Sequence, residues 1–163
     1  MIASRASNPA KEILVGMGQI AAGQAPQRMK AILGSCVGVA LYHAGRRAGA
    51  MAHVVLPDSA GRDGAPGKFA DAAVPRMLAI LREQGIPTSG LTAKLAGGGN
   101  MFNGSGPLQI GDANAAAVVA ALKKAGIAVA AQDTGGTRGR RVEFDCASGE
   151  MVVQCAGQPT RIL

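Results

Sequence analysis

The chain has 163 residues, 48% of them hydrophobic and 17% charged, so it can bury its own core and does not have the composition of a disordered segment. Its formal net charge of +7 leaves an acidic partner open. However, the basic residues cluster only at Arg138, Arg140 and Arg141, with no aromatic stacking set beside them. They read as solvated surface, and nucleic acid is not an expected partner. Three cysteines without a CxxC pair argue against a disulfide framework and a zinc site, and no apolar run is long enough for membrane insertion.

Residues 1–10 read as a loose tail ahead of one domain over 11–163, and the absence of a signal-like apolar run makes the cytoplasm the expected location. Glu12 to Ile20 reads as a strand weakened by Gly16 and Gly18, and Ala21 to Gln27 as a loop. Met29 to Leu33 leads into Gly34-Ser35-Cys36. Cys36 to Tyr42 and Ala48 to Leu56 are apolar on both alternating positions, which predicts two buried strands joined as a hairpin. Lys68 to Gln84 has apolar residues at helical spacing and Gly85 as a stop, with Pro75 expected to kink it or cost a hydrogen bond. Leu91 to Ala96 predicts a strand that runs into Gly97-Gly98-Gly99. Asn114 to Lys124 predicts a second helix with Asp112 as its cap and Gly126 as its terminator. Ile127 to Gln132 is a further strand, and Arg141 to Cys146 with Glu150 to Cys155 a closing hairpin. This order is not a regular βαβ alternation and predicts mixed sheets with helices outside.

Chemistry concentrates between Leu33 and Pro57. If the hairpin turns at Ala44-Gly45, His43 faces Arg46, and the same register sets Cys36 directly opposite His53. Direct cross-strand neighbours are close enough for a thiol and an imidazole to meet, whereas a slip of one residue would put them on opposite faces. Cysteine attacks as its thiolate, and an imidazole can take the proton. Gly34 and Ser35 would let a substrate approach the backbone, whose N–H groups could hold an oxyanion. Free cysteines are commonly inert core residues, and Cys146 and Cys155 are read so. His43 reads as a surface residue of the turn.

LGSCVGVALY followed by GAMAHVVLP resembles the signature of the chemoreceptor glutamine deamidases, the CheD family. GKFADAAVPRML, AKLAGGGNMF, IGDAN and DTGGTRGRRVEF continue the likeness in order along nearly the whole chain. The resemblance implies an α/β (α+β-like) fold: a single-domain layered sandwich of mixed β-sheets with flanking helices, similar to toxin-type cysteine deamidases. It implies hydrolysis of glutamine side chains on chemoreceptor cytoplasmic domains, without a cofactor or metal, by Cys36 as nucleophile and His53 as base. It also implies a possible second partner, a CheC-type chemotaxis phosphatase, and hence the alternative of a binding adaptor without catalysis. The family commonly carries a Thr six residues before the Cys, where this chain has Lys30, and Gly-Gly-Ala where this chain has Gly98-Gly99-Asn100. A backbone carbonyl is therefore the expected partner for the outer nitrogen of His53, since a charged Lys cannot accept a hydrogen bond.

Overall fold

The structure is a computed structural model and describes residues 11–101 and 109–163; the expected tail at 1–10 lies outside the described residues. Five strands come first: β1 (Glu12–Leu14), β2 (Ile20–Gln24), β3 (Arg28–Leu33), β4 (Val37–His43) and β5 (Ala48–Val54). Then follow α1 (Ala70–Glu83), β6 (Leu91–Gly97), α2 (Ile110–Lys124), β7 (Ala128–Thr134), β8 (Arg140–Asp145), β9 (Met151–Gln154) and β10 (Arg161–Ile162). They build two mixed sheets of five strands, ordered β1-β3-β8-β9-β10 and β2-β5-β4-β6-β7. The layers run outer sheet, central sheet, helix pair, as expected of a layered α/β sandwich.

The sequence explains the layering through strand periodicity. Along β3, Met29, Ala31 and Leu33 are buried, whereas Arg28 and Ile32 are exposed and Lys30 only half-buried, so the outer sheet covers one face and leaves the other to water. β4 and β5 are buried on both faces because the central sheet has helices on one side and the outer sheet on the other. Both helices end in the same way. The amides of Gly85 and Ile86 return to the Arg82 and Leu81 carbonyls, and those of Gly126 and Ile127 to Lys123 and Leu122. Gly85 and Gly126 take the left-handed conformation that this ending requires, with φ of 79° and 75°.

Several expectations need correction. Ile20–Gln24 is a strand, not a loop: it pairs antiparallel with β5, and the apolar stretch from Glu12 is broken by a turn around Gly18. α2 begins four residues before Asn114, so Asp112 lies in its first turn and Gln109 is its cap, with no side-chain capping bond. The hairpin between β4 and β5 turns through a 3-10 turn at Ala44–Arg46 followed by Arg47 in the left-handed region, which moves its register by two residues from the expected one. Gly38, not Cys36, is directly opposite His53. His43 caps the turn, its Nδ1 accepting from the Arg46 amide at 3.2 Å.

Candidate functional site

A shift of two residues leaves every side chain on its expected face. Cys36 immediately precedes β4 and packs with Ala40, Met51 and Ala96 on the side of the central sheet turned to the outer sheet. His53 alternates with Met51 along β5 and so faces the same way. Gly38, not Cys36, pairs with His53, so the two residues share a face near the open end of the hairpin without being a direct pair. Both are buried, at 7% and 4% exposure.

His53 is fixed by its backbone and its ring. Its amide donates to Gln19 O at 3.0 Å, and its carbonyl accepts from Gly18 N at 2.9 Å. Nδ1 lies 2.9 Å from the Val15 carbonyl oxygen. A carbonyl only accepts, so Nδ1 carries the proton, and in the neutral ring Nε2 presents a bare lone pair. Among the described residues Nε2 has no hydrogen-bond partner. The orienting acceptor is thus a backbone carbonyl. The Val15 amide in turn donates to Lys30 O at 2.8 Å, so position 30 supports the imidazole through its main chain. Its side chain points out of the core, with Nζ 2.8 Å from Glu12 Oε1 and 3.7 Å from Glu143 Oε2.

The loop that carries Cys36 is held by its carbonyls. Gly98 N donates to Cys36 O at 2.8 Å and Gly99 N to Gly34 O at 2.9 Å, while Asn114 Nδ2 reaches Ser35 O at 3.0 Å. The amides of Gly34, Ser35 and Cys36 donate to no acceptor among the described residues, leaving N–H groups beside the sulfur. A side chain at Gly97 could not be accommodated, because its Cβ would fall 2.3 Å from Cys36 O. The glycine run is therefore a clamp on the cysteine loop rather than a phosphate cradle.

Arg140, expected on the solvated surface, is buried at 8% exposure. It donates to Gly135 O at 2.7 Å, to Gly97 O at 3.1 Å and to Asp133 Oδ1 at 3.2 Å. Sequence reasoning missed this residue and the role of Asn114; it expected a backbone carbonyl at His53 but did not say which, since main-chain acceptors have no sequence signature, and a helix-terminal Asn resembles a cap.

Burial pushes the Cys36 thiol above its ordinary pKa. Cys146 is pushed further, to about 11, by burial and then by the neighbouring Asp145 carboxylate. All three cysteines are free. A thiol on the same face as an imidazole of fixed tautomer can lose its proton to it when an electrophilic carbonyl arrives.

Comparison with known proteins agrees with this architecture. A family model described as CheD chemotactic sensory transduction matches residues 55–155, beginning two residues past His53. A chemoreceptor glutamine deamidase CheD from Thermotoga maritima is 41% identical over 145 residues, covering 88% of this chain and 92% of that protein. A probable chemoreceptor glutamine deamidase CheD from Desulforamulus reducens is 39% identical over 158 residues, covering 93% of this chain and 95% of that one. One from Clostridium kluyveri is 40% identical, covering 90% and 94% respectively. With the layered sandwich in place and relatives this similar along almost their whole length, the chain belongs to the CheD family.

Proposed function

We propose that this chain is a protein-glutamine deamidase that converts glutamine side chains on chemoreceptor cytoplasmic domains to glutamates, with Cys36 as nucleophile and His53 as the acid–base group. The observation that carries the reading is the His53 tautomer, fixed by Val15 O and leaving Nε2 bare on the face that holds Cys36. Sγ attacks the amide carbon while its proton passes to Nε2. The amide oxygen, now an anion, is met by the backbone N–H groups at Gly34, Ser35 and Cys36. His53 returns the proton to the departing nitrogen, ammonia leaves, and a thioester remains. Water then attacks the thioester carbon and gives a proton to Nε2. The C–S bond breaks, and the thiol is restored as the glutamate forms. The cycle calls on no cofactor.

The assigned domain is 11–163, and its place is the cytoplasm, where such receptor domains lie. No helix among the described residues is long and apolar enough to cross a membrane. A CheC-type phosphatase is a second proposed partner, resting on the resemblance alone. Lys30 in place of the family's Thr would favour the adaptor alternative only if that side chain had to orient His53; its Nζ instead pairs with Glu12, and His53 already has its acceptor. The deciding experiment incubates the protein with receptor cytoplasmic fragments and measures ammonia together with the Gln-to-Glu mass change. Wild type is expected to produce both and Cys36→Ala neither. Ammonia release that survives Cys36→Ala would defeat the assignment of the nucleophile, and none from wild type would favour the adaptor.

A further inference from the structure

We infer that Asn114 is a positioning residue for this reaction: it ties the Cys36 loop to the His53 strand where the β4–β5 ladder ends. The inference rests on the catalytic roles proposed for Cys36 and His53.

Val37↔Val54 is the last rung of the hairpin on its open side. One step further, the strands diverge: the chain before Val37 bends through Gly34–Cys36, and Val55 turns to donate its amide to Lys68 O at 2.9 Å. Asn114 takes the place of the missing rung. Its Nδ2 donates to Ser35 O at 3.0 Å and to Val55 O at 2.9 Å, one carbonyl immediately before Cys36 and the other two residues after His53. Two acceptors fix the orientation of the amide, because the flipped form would press Oδ1 against both carbonyls.

Asn114 is 0% exposed, and Oδ1 has no hydrogen-bond partner among the described residues. A buried amide oxygen without a partner works against folding, while the two bonds that Nδ2 donates satisfy the Ser35 and Val55 carbonyls, which an apolar side chain would leave without that donor. The asparagine thus holds together two segments, one next to Cys36 and the other next to His53. α2 presses on the same loop by a second route: Gly111 packs so tightly on Gly98 and Gly99 that a Cβ there would fall 2.4 Å from Gly98 O, and Gly98 N holds Cys36 O.

If Asn114 is lost, the loop and the strand can separate, and a misplacement on the scale of an ångström lowers the rate without removing a reacting group. Asn114→Ala is expected to reduce kcat for ammonia release about tenfold to a hundredfold, with KM within about twofold of wild type. Labelling of Cys36 by iodoacetamide at neutral pH should fall by a similar factor. In a His53→Ala background the same substitution should change labelling by less than about twofold, because nothing is left to position. Asn114→Asp keeps the shape and, once protonated, one donor. Its labelling rate relative to wild type should recover as pH falls, a signature that loss of packing would not give. Should the Ala variant fail to fold, the Asp variant carries the test.

Wild-type labelling in the folded variants, or an equal loss with and without His53, would overturn the inference. If wild type shows His53-dependent labelling but releases no ammonia, the deamidase reading fails while the positioning role stands.

Discussion

The two faces of the central sheet share the same strands and differ in almost everything else. Toward α1 and α2, β4 and β5 present Val37, Val39, Leu41, Ala48, Ala50, Ala52 and Val54, an aliphatic surface. Toward the outer sheet the alternate positions carry Gly38, Ala40, Met51 and His53, with Cys36 at the strand entry and Arg140 nearby. The period-two geometry of a strand lets one segment support the fold with one set of residues and bear reactive groups with the other. The small residues on the second face leave room: Gly38 sits opposite His53, where a Cβ would press Leu33 of the outer sheet at 3.1 Å.

Substitutions on the two faces should therefore fail in different ways. The largest expected effect is His53→Ala, which should lower kcat by about 10²- to 10⁴-fold, the usual contribution of a general acid–base group. Burial holds the Cys36 thiol above its ordinary pKa whether or not the imidazole is there. The variant removes the base that would take the proton, so labelling by iodoacetamide at neutral pH should fall and become appreciable only at pH above the ordinary thiol range. Unchanged labelling at neutral pH would erase the chemical distinction between the faces.

On the helix side, Leu41→Ala should cost about 2–5 kcal/mol of stability in denaturant titrations, through lost burial and a cavity. Its kcat per folded molecule should stay at the wild-type value; a large fall would mean that the faces are coupled. The smallest expected effect is Lys30→Thr. It removes the ion pair to Glu12 but leaves the Lys30 carbonyl that holds Val15, so ammonia release should change by no more than about twofold. A large gain in activity would return the orienting role to that side chain.

The layered architecture and the placement of Cys36 and His53 on one face were legible because hydrophobic periodicity fixes faces, and a register error of two residues preserves them. The register itself was not legible. It depends on a 3-10 turn closed by the His43 ring and on Arg47 at φ 48°, a conformation that the sequence of a non-glycine residue does not announce. β2 was read as a loop because Gly23 and Pro26 outweighed pairing with a strand distant in sequence. The tie made by Asn114 was hidden for a related reason: it joins positions 79 and 59 residues away, and spacing rules carry no information at that range.

Val15 bonds the main chain of β3 through its amide and the His53 ring through its carbonyl. The distance between the outer and central sheets is thereby written into the position of one proton. If the sheets slide or separate, the ring loses its reason to keep that proton on Nδ1, and the proton moves to Nε2, which a free neutral imidazole side chain prefers. The ¹⁵N resonances of the imidazole would then report on sheet-to-sheet contact.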